Sequence, residues 1–145
     1  MPRLKGHPRI DAATTLVGWT NRSATRDTEK VFASDEVVRL STRLDAAHRF
    51  SLLVSHPGHS DAVTVVLHLA PLLRDGSMGT FVPVATVAVP AEGGRVEASI
   101  SGHDIHPDAA DIGNADLPAF CFAKAVVTPS TPEGMYVGLT ATLPA

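Results

Sequence analysis

Short runs of alternating apolar and polar residues follow one another from about Val37 to the end of the chain. In Ala62–Leu69 and Met135–Leu143, apolar residues occupy every second position. Strict alternation places one set of side chains on each face of a strand, so these segments are expected to be half-buried antiparallel strands. No segment has the pattern of a long helix. The sequence therefore predicts an all-β protein.

Turn residues divide this region into seven predicted strands. They are Glu36–Thr42, His48–Ser55, Ala62–Ala70, Thr80–Val89, Arg95–Ser101, Ala119–Thr128 and Met135–Leu143. Because Pro83 cannot donate a hydrogen bond to a sheet, Thr80–Val89 is expected to be an edge strand or to bend at Pro83. Asp75-Gly76 tolerates the positive φ of a tight turn. The spacing predicts one antiparallel β-sandwich or jelly roll of seven to eight strands over residues 31–145.

The first thirty residues differ from the rest because polar residues dominate their second half. Thr14–Trp19 could form a short strand, but we predict that Met1–Lys30 is an extended N-terminal arm that becomes ordered against another surface. Its apolar residues Ile10, Leu16 and Trp19 are the predicted interface residues. Trp19 is the main anchor because buried aromatic residues dominate interface energies. The alternative that Trp19 covers the protein's own sandwich remains open.

Composition excludes several classes of protein. The 145 residues fit one domain, and 44% hydrophobic against 19% charged residues indicates a globular chain. A net charge of −3 gives no reason to expect a nucleic-acid partner. Cys121 is the only cysteine, so it is expected to be a buried thiol and not part of an internal disulfide. No apolar stretch approaches the roughly 20 residues that span a bilayer, so no membrane contact is predicted.

The longest predicted connection, Gly102–Pro118, combines imidazole and carboxylate side chains that could bind zinc or a similar ion. The candidate ligands are His103, His106 and Asp108, with Asp104 and Asp111 nearby. His56 and His59 could join them if the two loops meet at the same end of the sandwich. Their spacing matches no rigid ligand pattern, so the prediction is that these residues form turns and that the protein has no metal or other cofactor.

Motifs for catalysis are missing from the sequence. It contains no Gly-x-Ser-x-Gly element for a serine nucleophile and no Gly-Lys-Ser/Thr phosphate loop, so no catalytic residue is predicted. Carbohydrate binding would need aromatic rings to stack on sugars, for which Trp19 and Tyr136 are the candidates. The five phenylalanines are expected in the core: Phe32, Phe50, Phe81, Phe120 and Phe122.

One stretch resembles a known class of proteins. Three consecutive segments carry the resemblance: Ala62–Ala70, the Leu72-Leu73-Arg74-Asp75-Gly76 turn and the Gly79-Thr80-Phe81-Val82-Pro83-Val84-Ala85 strand. Together they resemble small β-sandwich proteins of tailed-bacteriophage virions. Ala119–Thr128 and Tyr136–Leu143 resemble the closing strands of such domains, so the resemblance covers about residues 62–145.

The resemblance implies a non-enzymatic virion subunit, made in the host cytoplasm, that decorates or cements a capsid or belongs to the head–tail junction or the tail. Its implied partners are copies of itself and other virion structural proteins. We expect Met1–Lys30 and Gly102–Pro118 to make the assembly contacts. Two alternatives remain: a soluble carbohydrate-binding sandwich, and a metal-dependent enzyme that uses the Gly102–Pro118 loop.

Overall fold

The computed structural model describes residues 9–20, 30–45, 48–59, 61–112 and 119–143. These residues form nine strands and two single-turn 3₁₀ helices, Gly102–Asp104 and Ala109–Asp111. The strands are β1 (Arg9–Thr20), β2 (Lys30–Phe32), β3 (Val38–Leu44), β4 (Arg49–His56), β5 (Val63–Pro71), β6 (Val82–Val89), β7 (Gly94–Ser101), β8 (Phe120–Thr128) and β9 (Tyr136–Leu143). Neither helix could cross a membrane, and the same ranges hold no other helix. The predicted all-β class is confirmed.

The strand pairs are nested in sequence: the first strand pairs with the last, and the other pairs lie inside that pair. β1 pairs with β9, β3 with β8, β4 with β7, and β5 with β6, all antiparallel. Pairing of β4 with β9 and of β5 with β8 completes a large sheet (β2-β1-β9-β4-β7) and a small sheet (β3-β8-β5-β6). This nested pairing of strands across two sheets is a jelly roll. The predicted sandwich or jelly roll is therefore confirmed, with β1 and β2 added to the seven strands expected.

The prediction of an N-terminal arm is wrong for residues 9–20, which form β1 along the whole of β9. Leu16 and Val17 are fully buried in the core, so Leu16 is not available to a neighbouring molecule. Register shifts near Ile10 and between Thr15 and Val17 interrupt the alternation that would otherwise mark a strand. Ile10 and Trp19 lie on β1 but their side chains are outside the described part, as are residues 1–8 and 21–29.

The core lies between the two sheets and consists mainly of Val, Leu and Ala side chains. Of the five phenylalanines expected there, Phe50 and Phe120 are fully buried, whereas Phe81 and Phe122 are half-buried. The side chain of Phe32 is outside the described part. In β8, a register shift leaves Cys121 as an extra residue between Phe120 and Phe122, so that these two rings do not share a face. Cys121 is buried, as predicted.

The small sheet ends at β6, and the strand is bent at the predicted place. Leu67 faces Ala85 and His68 faces Pro83, so Val84 is an extra residue that has no partner on β5. A bulge next to a proline interrupts the row of hydrogen-bonding groups that an edge strand offers to another strand. Both expectations for Thr80–Val89, an edge position and a bend at Pro83, are confirmed.

The β5–β6 connection contains the predicted Asp-Gly turn, in which Gly76 has a φ of 88°. The Ser77 hydroxyl and backbone N–H donate to Asp75 Oδ1 at 2.6 and 2.9 Å, and these bonds, the hydroxyl bond most, lower the pKa of Asp75. We expect an NMR titration to give a midpoint below the ordinary 3.8 and Ser77→Ala to raise it. The contribution to stability is present above the ordinary pKa and is lost as the pH falls through the folded pKa. An unchanged midpoint in Ser77→Ala would contradict this assignment.

Candidate interaction surfaces

The outer face of the large sheet is polar. Along β4 the buried core residues alternate with Arg49, Ser51, Leu53 and Ser55, which point outwards. Ser51 Oγ donates to a Glu97 carboxylate oxygen at 2.8 Å, and Arg49 donates to Ser99 Oγ at 3.1 Å. Of these outward β4 side chains, only Leu53 cannot hydrogen-bond to water. This face is therefore typical of a sheet that is exposed to solvent.

Tyr136 lies on the same polar face and covers Gly138. A Cβ atom on Gly138 would lie 2.8 Å from two carbon atoms of the Tyr136 ring, which therefore rests on the backbone of its own strand. One face of this ring is already used within the protein. Because the side chain of Trp19 is outside the described part, the pair of stacking residues considered for carbohydrate binding is not brought together by any described contact.

The outer face of the small sheet mixes large apolar side chains with the polar side chains of Thr64, His68, Lys124 and Thr128. Val66 on β5 lies opposite Val126 on β8. Both side chains point outwards, because their neighbours along each strand point into the core, and both are half-buried. Phe81 and Phe122 are also half-buried, and Val37 is 43% exposed just before β3. We call Val37, Val66, Phe81, Phe122 and Val126 the apolar face. A cluster of large apolar side chains on the outside of a sheet is a feature of protein–protein contact sites.

Charged groups lie next to these apolar side chains, and Lys124 occupies the outward position between Phe122 and Val126 on β8. Arg39 Cζ lies 5.4 Å from the centroid of the Phe122 ring, and Lys124 Nζ lies 4.7 Å from that of Phe81. Lys124 Nζ also lies 2.9 Å from Asp35 Oδ1. Cations over aromatic rings stabilise exposed sites by about 0.5–1 kcal/mol each. Together these residues combine aromatic rings and an arginine, side chains that are enriched at protein interfaces, with a lysine on the same face of the sheet.

The candidate metal ligands lie at opposite ends of the sandwich. On the β4–β7 ladder His56 faces Gly94 and Arg49 faces Ser101, so the loop after Ser101, with His103 and His106, starts seven residues away from His56. At about 3.4 Å per residue this separation is about 24 Å. The prediction that the two histidine pairs could share one site is therefore wrong.

The individual residues of these loops have structural partners. Buried His56 accepts a hydrogen bond from Gly58 N–H at Nδ1 (2.9 Å), and its Nε2 donates to the Asp61 carbonyl (3.1 Å). Asp108 Oδ1 accepts from Ala110 N–H, and buried Asp111 Oδ2 accepts from Thr80 N–H at 2.7 Å. His103 and His106 are exposed. Within the described ranges, no three His, Cys, Asp or Glu side chains are grouped so as to hold a metal ion.

An open cleft of about 590 Å³ lies where β5 begins and where β6 and β8 end. Small apolar side chains, two threonines and two prolines line it: Ala62, Val63, Thr64, Ala88, Val89, Pro90, Thr128 and Pro129. None of these residues is charged or titratable, so the cleft could hold an apolar group but has no side chain for acid–base chemistry. We call this feature the apolar cleft.

No protein-family model matches the chain, and no curated protein is significantly similar to it in sequence. The resemblance to virion proteins therefore remains a prediction, as do the non-enzymatic role, the location in a virion and the partners. The apolar face and the apolar cleft are features that the sequence analysis did not identify. Val66 was the one sequence signal for the apolar face, because it is an apolar residue among the outward positions of its strand, which it shares with Thr64 and His68.

Proposed function

We propose that this protein is a non-enzymatic structural subunit of a virion: a capsid decoration or cement protein, or a head–tail or tail accessory protein, of a tailed bacteriophage. It acts through protein–protein contacts with copies of itself and with other virion structural proteins. The observation that carries the proposal is the apolar face on the outside of the small sheet.

The difference between the two outer faces supports a contact role. Apart from Leu53, β4 of the large sheet presents serines and a charged side chain that water can solvate, whereas the small sheet presents two valines and two phenylalanine rings among its polar side chains: Val66, Val126, Phe81 and Phe122. Covering apolar surface contributes about 25 cal/mol per Å² to association. A partner that covers the small sheet would therefore gain more than one that covers the large sheet.

The fold is compatible with this role but does not select it. Jelly rolls occur in viral capsid proteins, lectins and cupins alike. Function has to be argued from the surface that a fold presents. Here the surface offers aromatic and arginine side chains, Phe81, Phe122 and Arg39, which are the kinds of residue that contribute most to binding at interfaces.

The test is incorporation into particles. The full chain is produced together with the products of its neighbouring genes, and particles are separated on a density gradient. We expect the protein to sediment with them and Val66→Lys/Val126→Lys to lower its occupancy at least tenfold, which corresponds to about 1.4 kcal/mol or more.

The matched control is Ser51→Lys/Ser55→Lys, which adds the same charge to the polar face and should leave incorporation unchanged. Circular dichroism and thermal melting establish that both variants fold. Failure of the unchanged protein to enter particles would overturn the proposed function. Normal incorporation of the Val66→Lys/Val126→Lys variant would remove the apolar face as its basis.

A further inference from the structure

β7 forms one edge of the large sheet, and within the described ranges it pairs with β4 alone. Its eight residues follow β4 in unbroken register from Gly94 to Ser101, and they include no proline. The backbone N–H and C=O groups that point away from β4 therefore form a regular row along the other side of β7. Such a row is a template for pairing with a further strand.

The other edges of the two sheets are short or irregular. β2 has only three residues, and the pairing of β3 with β8 contains a register shift. β6 contains Pro83 and the bulge at Val84. Short strands, prolines and bulges all hinder an edge strand from pairing with another chain. Among the edges in the described ranges, β7 is therefore the one that is both long and regular.

The outward side chains of β7 include a cation and an anion two residues apart. Arg95 faces Ser55 and Glu97 faces Leu53 on β4, and both charged side chains are exposed. Glu97 accepts a hydrogen bond from Ser51 Oγ, whereas Arg95 has no hydrogen bond or ion pair with any part of the chain that the structure describes. An added strand could therefore supply a carboxylate to Arg95.

We propose that β7 pairs antiparallel with β7 of a second copy about a twofold axis at Val96, so that the two large sheets become one continuous sheet. This inference rests on the proposed function and names the contact with one of its partners, a second copy of this chain. In this register Arg95 of each copy lies opposite Glu97 of the other. Opposite charges directly across an antiparallel pair are stabilising, and like charges are destabilising.

The order of the two charges selects an identical strand and this register. Antiparallel pairing reverses the second strand, so a cation and an anion two residues apart each meet the opposite charge on a copy of the same sequence. An axis at Glu97 or at Arg95 would instead place two like charges opposite each other. An axis at Ala98 would place Arg95 opposite Ser101 and leave it without a carboxylate. The axis at Val96 is the register that forms two ion pairs.

The contact is isologous, because both copies use the same strand, and it uses the edge of each. Association therefore stops at a dimer. In this register Gly94 of one copy lies opposite Ala98 of the other. No atom of the described ranges lies within 4 Å of the Cβ position at Gly94, so there is space beside it for the alanine side chain.

Self-association of the full chain is measured by analytical ultracentrifugation over a range of concentrations, and we expect a monomer–dimer equilibrium. Arg95→Glu and Glu97→Arg should each lower the association constant at least tenfold, because each places like charges opposite each other at two positions. The matched control is the double variant Arg95→Glu/Glu97→Arg. It has the net charge of the unchanged protein and restores both ion pairs, so it should associate like the unchanged protein.

An equimolar mixture of the two single variants tests the register. The two carboxylates of one variant lie opposite the two guanidinium groups of the other, so the mixture should form a one-to-one dimer although each variant alone is monomeric. A mixture that remains monomeric, or single variants that associate normally, would overturn the inference. Both residues are exposed, so the fold should be retained. If a single variant fails to fold, Arg95→Gln and Glu97→Gln replace the pair, and each should still lower the association constant.

Amide hydrogen exchange, followed by NMR at low and high protein concentration, tests the strand pairing itself. The β7 amides that point towards β4 should be protected at both concentrations. The alternate amides should become protected only at the high concentration, where a second β7 covers them. Exchange in β7 that does not change with concentration would overturn the edge-to-edge contact.

The two proposals can fail separately. A protein that sediments with particles but is monomeric in solution at all concentrations, and whose Arg95→Glu variant is also incorporated, would overturn the β7 contact alone. A protein that never enters particles overturns the proposed function, whatever its association state.

Discussion

Replacing Phe50 with alanine should lower the free energy of unfolding by about 3–5 kcal/mol. Phe50 is completely buried on β4, which pairs with strands on both sides, and it lies between Ile100 and Ala141 in the large sheet. Both neighbouring strands are hydrogen-bonded at this level, so the backbone cannot move in to fill the cavity left by the ring. Urea unfolding followed by circular dichroism measures the loss.

The matched control for Phe50→Ala is Leu53→Ala on the same strand. Leu53 is half-buried on the polar outer face, so its truncation removes part of a contact but creates no closed cavity. We expect a loss of about 1 kcal/mol or less for such a site. Equal losses for the two variants would contradict the assignment of inward and outward positions on β4.

Gly93→Ala should destabilise the protein by about 2–5 kcal/mol, because two costs add at this position. Gly93 has a φ of 89°, which costs an alanine about 1–2 kcal/mol. A Cβ atom there would also lie 2.7 Å from Gly58 N and 2.7 Å from the His56 carbonyl oxygen. Gly58 is in the β4–β5 loop and His56 is the last residue of β4, so relief requires the backbone at the end of β4 and in this loop to move, at about 1–3 kcal/mol.

Gly76→Ala separates the two costs. Gly76 has nearly the same φ, 88°, but no atom lies within 4 Å of the Cβ position. Its substitution should cost only the conformational term, about 1–2 kcal/mol. If thermal or urea unfolding gave the same loss for both glycines, the close approach of the β4–β5 and β6–β7 loops would not be supported.

The sequence predicted the strands whose alternation is unbroken. His48–Ser55 differs from β4 by one residue at each end, and Arg95–Ser101 differs from β7 only at its first residue. In these strands the side chains of one face point into the core and those of the other face point outwards, so the alternation of apolar and polar residues is visible in the sequence. β1 was not predicted, apart from Thr14–Trp19 as a possible short strand, because its bulges change which side successive residues face.

The candidate surfaces depend on strand pairing and could be predicted only in part. Val66 stands out in the sequence as an apolar residue among outward positions, but nothing local shows that Val126 lies opposite it. The separation of His56 from His103 likewise follows from the direction in which β4 and β7 run. The hydrogen bond from Thr80 N–H to Asp111 also joins residues that are 31 positions apart.

The nested pairing also has a consequence for the order in which the chain folds. β5 and β6 are close in sequence, whereas Arg9 on β1 pairs with Leu143 on β9. Closing an inner pair shortens the effective loop for the next pair outwards, which reduces the entropy cost of each later step. We expect assembly to proceed from the β5–β6 hairpin outwards, with β1 docking last. Until then the groove that receives Leu16 and Val17 is open on the surface, so a newly made chain passes through a stage at which it is prone to aggregate.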